Sequence, residues 1–210
     1  MAKDMNDAGK HFPIWGTCLG MQEMSTWPFT PRQNPVGSCA GTEDVCLPLN
    51  FTADAKTSAL FGSMPSYLWD VLGKENVTPN FHRSCLRTKT YASSKELTSF
   101  YSVLTTNLDS NGVQFVSSYE ARKYPFFGVQ FHPEKIDALH APDQHVVRSL
   151  NATLTAQYFG NFLVQQASKN NNSFNSLDEE ARFMINSYQS SFSSFYEYYC
   201  FDDADIPKFD

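Results

Sequence analysis

The chain has 210 residues, 41% hydrophobic and 15% aromatic against 18% charged, enough apolar material for a packed core, so wholesale disorder is excluded. A net charge of −6 excludes the basic face that an electrostatic nucleic-acid binder needs. No apolar run approaches the roughly 18 residues of a membrane span, and the first ten residues, MAKDMNDAGK, lack the apolar stretch of a signal peptide.

From the amino end, His11 to Cys18 (HFPIWGTC) is a short apolar run, and Leu19 to Trp27 has a helix-compatible composition that Pro28 stops. Pro28 to Gly41 is rich in Pro, Gly, Asn and Ser and reads as a loop. Val45 to Phe51 is a strand candidate demoted to an edge or a short piece by Pro48. Ser66 to Leu72 reads as a short helix entered after Pro65. Ser99 to Asn107 and Val113 to Ser118 flank the turn-prone Leu-Asp-Ser-Asn-Gly and predict a hairpin. Phe126 to His132 (FFGVQFH) is a nearly continuous apolar strand ended by Pro133. Asp143 to Ala167 predicts the clearest helix, with Val147, Leu150, Leu154, Tyr158 and Phe162 at 3- and 4-residue steps. The capping box Ser176-Leu177-Asp178-Glu179 opens a further helix near Met184, and an acidic, aromatic tail, Phe201 to Asp210, closes the chain. Strands interleaved with helices give an α/β class, expected as a single domain over residues 1–210.

Cys18, Cys39, Cys46, Cys85 and Cys200 are an odd number: with one free thiol, four remain for two bridges whose connectivity stays open. Four glycosylation sequons, at Asn50, Asn76, Asn151 and Asn171, favour the secretory route.

Gly16-Thr17-Cys18-Leu19-Gly20 sits where an apolar strand turns into a helix. A nucleophile on such a turn projects clear of the sheet, and glycines on either side leave room for the backbone to turn. The following helix favours the thiolate of Cys18 by its N-terminal dipole, and the Leu19 N–H is placed to donate to an oxyanion. The alternative is a buried structural cysteine between incidental glycines. His132 stands at the end of a second strand in Phe-His-Pro-Glu. There an imidazole can hold the thiolate and protonate a leaving amine, and Glu134 can fix its orientation.

The elbow Trp15-Gly16-Thr17-Cys18-Leu19-Gly20 and the segment from Tyr124 to Lys135 (YPFFGVQFHPEK) resemble class I glutamine amidotransferase-like hydrolases. Within these, the closer resemblance is to the folate γ-glutamyl hydrolases, supported by LPLNFT (47–52), NFH (80–82), SVLTTN (102–107) and the segment from Ser193 to Asp202. The resemblance implies a flavodoxin-like three-layer sandwich with a mainly parallel central sheet. It also implies hydrolysis of folylpoly-γ-glutamates by a lysosomal or secreted enzyme. Cys18 would form an acyl-enzyme, His132 would shuttle the proton, Glu134 would orient His132, and His82 would lie in the substrate pocket beside Leu19. No cofactor and no metal are implied; His140 and His145 lack an acidic or thiol partner at ligand spacing and read as surface residues. Phe29, Tyr124, Phe126 and Phe127 could stack on a pterin, although the core is the commoner place for aromatics.

Only 17 residues precede Cys18, where the family has several β/α units, so the expectation is a chain lacking the amino-terminal strands, the signal peptide and a second oxyanion donor. Two other readings stand beside the hydrolase: a glutaminase-type amidotransferase subunit, and a truncated binding isoform without turnover. Whether the family's homodimer forms is left open by the sequence.

Overall fold

A five-stranded sheet organises the part of the chain that carries the predicted site. The computed structural model describes residues 1–136, 144–192 and 197–201. The chain divides into two compact units, Met1–Ala138 with His145–Asn170, and Leu139–Gln144 with Asn171–Asp210. The first contains α1 (Ala2–Asp7), β1 (Ile14–Thr17), α2 (Leu19–Met24), β2 (Gly37–Ser38), β3 (Glu43–Leu47), β4 (Asn50–Phe51), α3 (Ser66–Lys74), β5 (Thr78–Phe81) and β6 (Ser84–Cys85). It continues with α4 (Thr88–Ser93), α5 (Lys95–Phe100), β7 (Tyr101–Leu108), β8 (Gln114–Ala121), β9 (Phe126–Val129) and α6 (Leu150–Ala167). The second contains α7 (Leu177–Phe183), β10 (Ser190–Phe192) and β11 (Glu197–Tyr199).

The central sheet has the order β1-β9-β8-β7-β4. The α/β class is as expected, with helices on a mixed sheet. Parallel pairing, expected to dominate, is confined to β1–β9 within these residues, and the other pairings are antiparallel. For β7–β8 and β8–β9 connection length is the reason, because short connections can join only antiparallel neighbours. The Asp109 carboxylate accepts from the Asn111 and Val113 N–H groups at 2.9 Å each and closes the β7–β8 hairpin. Two further pairs, β2–β6 and β3–β5, stand outside this sheet. Pro48 separates β3 from β4, so the strand expected over Val45 to Phe51 becomes two pieces with different partners.

Neighbouring residues of a strand point to opposite faces, and β9 shows what each face holds. Phe126 joins a cluster with Met21 and Met24 of α2, Leu97 of α5, and Tyr101 and Tyr119. Phe127 and Val129 join another, with Leu68 and Leu72 of α3 and Ala152, Phe159 and Phe162 of α6. Helices thus cover the sheet from both sides.

The longest helix starts at Leu150 rather than Asp143, which lies outside the described residues. Ser149 is its N-cap and accepts from the Ala152 N–H at 3.1 Å. Its buried face runs through Ala152, Thr155, Ala156, Phe159 and Phe162, whereas Leu150 of the expected stripe is 74% exposed. In the second unit, Ser176 caps α7 by accepting from the Glu179 N–H at 3.1 Å, as the capping box predicts. The Glu179 carboxylate accepts one residue earlier than that motif implies, from the Asn175 N–H at 2.9 Å. Apart from Phe201, the expected acidic tail lies outside the described residues.

Candidate active site

Two parallel strands end side by side at the site. Gly16 of β1 is in register with Gly128 of β9, and α2 lies across both. A Cβ on Gly16 would stand 2.7 Å from backbone atoms of Gly20 and Met21, and one on Gly128 would stand 2.8 Å from Met21 Cγ and Tyr119 Cε2. Glycine is needed at both positions so that the helix can sit down on the strands. Gly20 is different: a Cβ there would meet nothing within 4 Å, so the second glycine of the elbow is not sterically required. Two buried tyrosines hold the helix from below its carboxyl end. The Tyr119 hydroxyl donates to the Met21 carbonyl at 2.5 Å, and the Tyr101 hydroxyl donates to the Met24 carbonyl at 2.7 Å.

Cys18 occupies the turn between β1 and α2 with φ +51°, outside the range most side chains adopt. Its N–H donates to the Val129 carbonyl at 2.8 Å, which ties the elbow to the end of β9. Because β1 and β9 are parallel, their carboxyl ends share one edge, and residues just past either strand converge there. Gln130, one residue past β9, donates from Nε2 to the Cys18 sulfur at 3.6 Å. Gln22, one helical turn beyond Cys18, donates to Gln130 Oε1 at 3.2 Å and to the Ser84 carbonyl at 2.7 Å.

His132 follows two residues later, its N–H donating to the Pro79 carbonyl of β5 at 2.8 Å. Its Nδ1 lies 2.6 Å from Glu134 Oε1, and the ring stands within electrostatic range of Cys18. Burial alone would push this imidazole's pKa down. Interaction with Cys18 and the hydrogen bond that Nδ1 donates to the Glu134 carboxylate, together with the charges of both groups, outweigh burial and raise it from 6.5 to about 9. His132 is therefore an imidazolium at neutral pH. The His132 side chain is 19% exposed and that of Glu134 55%, so the carboxylate stands on the solvent side of the pair.

Leu19 is the first residue of α2, where an N–H has no intrahelical acceptor, and its side chain is 72% exposed. It opens a cleft of about 500 Å³ that Gln22, Glu23, Arg32 and Ser84 also line. His82, expected in the substrate pocket, is buried at 4% exposure. Its ring nitrogens face the Ser84 carbonyl at 3.0 Å and Asn80 Oδ1 at 3.1 Å, and Phe115 packs edge-on at 5.4 Å. Burial lowers its pKa to about 4, the Ser84 carbonyl opposes this and the charge of His132 adds to it, so the ring is neutral. The Asn-Phe-His segment places its histidine inside the fold, within electrostatic range of His132 and against the carbonyl of Ser84, which lines the cleft.

Sequence reasoning missed Gln130 and Gln22. Both left a signal: a polar residue inside FFGVQFH, two positions before His132, and a residue one helical turn after Cys18. The aromatic candidates belong to the core: Phe126 and Phe127 are buried, and Phe29 and Tyr124 pack against the α2 cluster. One bridge, Cys39–Cys85, forms instead of two, leaving Cys18, Cys46 and Cys200 free. It joins the loop before β3 to β6, next to Ser84. His145 pairs with Asp44 at 2.6 Å, and His140 lies outside the described residues. Among the described residues no group of three His, Cys, Asp or Glu side chains is arranged to hold a metal ion.

This geometry has known counterparts in sequence. The γ-glutamyl hydrolase of Mus musculus is 38% identical over 200 residues, covering 93% of this chain and 62% of that protein. That of Homo sapiens matches with the same identity and coverage. γ-Glutamyl hydrolase B of Dictyostelium discoideum is 32% identical over 192 residues, covering 90% of this chain and 54% of the other. The chain therefore spans between half and two thirds of the length of these relatives. The profile of the peptidase C26 family matches residues 5–134, from α1 through the elbow to Glu134. With well over half of its residues inside that profile, the chain belongs to the peptidase C26 family.

Proposed function

We propose that this site hydrolyses γ-glutamyl amide bonds, with folylpoly-γ-glutamates as the substrate class, through a covalent intermediate on Cys18. The observation that carries this reading is that the parallel β1 and β9 bring Cys18, in the elbow after β1, to the same sheet edge as His132, whose Nδ1 pairs with Glu134 at 2.6 Å. A histidine on the same sheet edge as the cysteine can take the thiol proton and hold it ready for the leaving group.

The Cys18 thiolate attacks the γ-carbonyl carbon, and the resulting oxyanion takes a hydrogen bond from the Leu19 N–H. Collapse breaks the C–N bond, the departing amine takes the proton from His132 Nε2, and a thioester remains on Cys18. His132, now neutral, accepts a proton from water as the water attacks the thioester carbonyl. Breakdown releases the γ-carboxylate and restores the thiolate–imidazolium pair. Glu134 keeps Nδ1 protonated, which fixes Nε2 as the nitrogen that exchanges protons with sulfur, amine and water. Gln130 holds the sulfur on the shared sheet edge. Lysosomal or extracellular location is part of the same proposal; the four sequons and the Cys39–Cys85 bridge support it.

The test is release of glutamate from a γ-glutamyl oligomer by the wild-type chain and by Cys18→Ala. The expected result is turnover in the first, none in the second, and unchanged circular dichroism between them. Equal turnover in both, or turnover of free glutamine with none of the oligomer, would overturn the reading.

A further inference from the structure

The cleft beside the elbow contains a feature that the hydrolytic chemistry does not use. Leu19, Gln22, Glu23 and Thr26 stand at positions i, i+3, i+4 and i+7, so they form one face of α2 and the turn after it. Arg32, from the loop that follows, closes the opposite side of this face. Its Nε donates to Thr26 Oγ1 at 2.7 Å, and its Nη2 forms an ion pair with Glu23. Among the described residues the Nη1 donors have no protein acceptor, and the Arg32 side chain, 58% exposed, lines the cleft.

Two observations tie that guanidinium to the reacting sulfur. Gln22, part of the cleft wall, donates to Gln130, which donates to Cys18, so the wall lies two hydrogen bonds from the nucleophile. Leu19, whose N–H faces the developing oxyanion, stands at the near end of the cleft. From Leu19 to Glu23 the helix advances about 6 Å. Within one γ-linked glutamate the γ-carbonyl carbon and the α-carboxylate carbon are four bonds apart, about 5 Å when extended, and the carboxylate oxygens reach about 1 Å further. With its γ-carbonyl at Cys18 beside Leu19, the same glutamate has the reach to place its α-carboxylate in the cleft that Glu23 and Arg32 line.

Resting on the proposed γ-glutamyl activity, we propose that Arg32 is the residue that selects the α-carboxylate of the glutamate whose γ-carbonyl is attacked. Its Nη1 donors are left to pair with a carboxylate. Glu23 and Thr26 fix the plane of the guanidinium before substrate arrives, which limits the ordering that binding would otherwise require. Arg32 is a binding residue; it takes no part in proton transfer.

The experiment is calorimetric titration of the Cys18→Ala chain with N-acetyl-γ-glutamyl-glutamate, and with the analogue whose first α-carboxylate is a carboxamide. The expected result is a loss of about tenfold in affinity for the carboxylate peptide when Arg32→Ala is added, with Arg32→Lys intermediate. The carboxamide analogue should bind weakly and equally to all three proteins. Unchanged affinity in Arg32→Ala, an equal loss for both peptides, or no binding of the carboxylate peptide to the Cys18→Ala chain would overturn the assignment. Binding that depends on Arg32, in a wild-type chain that releases no glutamate, would instead refute the hydrolytic reading and leave this one standing.

Discussion

Replacing Gly16 by alanine inserts one carbon into the closest approach between α2 and the sheet. That carbon would lie 2.7 Å from the Gly20 carbonyl carbon and the Met21 nitrogen, and 2.6 Å from Met24 Sδ. The methionine sulfur can rotate away, but the two backbone atoms move only if α2 moves. Restoring ordinary contact, near 3.4 Å, requires the helix to withdraw by about 0.7 Å. Met21 and Met24 are 1% and 2% exposed, so the withdrawal loosens a packed interface and stretches the hydrogen bonds from Tyr119 and Tyr101. Overpacking of this kind costs about 1–3 kcal/mol, and weakening a buried hydrogen bond adds about 1 kcal/mol. The expected loss is about 3 kcal/mol, a fall in Tm of about 5–10 °C. Gly20→Ala is the matched control, since its Cβ meets open space within a helix. It should be neutral or more stable by up to about 1 kcal/mol. Thermal unfolding followed by circular dichroism measures both variants. Equal stability of Gly16→Ala and wild type, or a larger loss in Gly20→Ala, would refute the packing argument.

The raised pKa of His132 gives a pH dependence whose sign is fixed. A folded-state value of about 9 against 6.5 means that the stabilisation is complete below 6.5 and is lost as pH rises towards 9. Both stability and kcat/KM should fall over that alkaline limb, and a histidine proton resonance titrating near 9 should move to lower pH in Cys18→Ala. A resonance at 6.5 in both proteins would contradict the pairing. The Cys39–Cys85 bridge closes a sequence separation of 46 residues, so Cys39→Ser with Cys85→Ser should cost about 4 kcal/mol by chain entropy. Denaturant unfolding of the double variant measures this, and a loss under 1 kcal/mol would place the bridge outside the cooperative unit.

The elbow and the histidine were legible because each stands where an apolar run meets a helix-breaking or helix-starting signal. Pro133 follows one apolar run, four residues past the end of β9, and Gly16 stands next to the last residue of β1. The hairpin was legible for a related reason: Asp109 and Gly112 supply the turn chemistry that joins β7 to β8. What stayed hidden depends on tertiary partners. The buried face of α6 could not be read from its large residues, because close approach to the sheet selects Ala152, Thr155 and Ala156 and turns Leu150 outward. The burial of His82 could not be read from its motif, since Thr42, Asn80 and Ser84 come together around its ring only through the pairing of β3 with β5 and of β2 with β6. The two glutamines next to Cys18 were in view in the sequence, but their role rests on the β1–β9 register, which sequence periodicity does not specify.

The claim on which the rest depends is that Cys18 becomes acylated. Mass spectrometry of the intact chain, acid-quenched during turnover of a γ-glutamyl oligomer, tests it directly. The account predicts an adduct equal to the substrate's acyl portion, located on the peptide that contains Cys18 and absent from Cys18→Ala. Hydrolysis that proceeds without that adduct, and persists in Cys18→Ala, would contradict it.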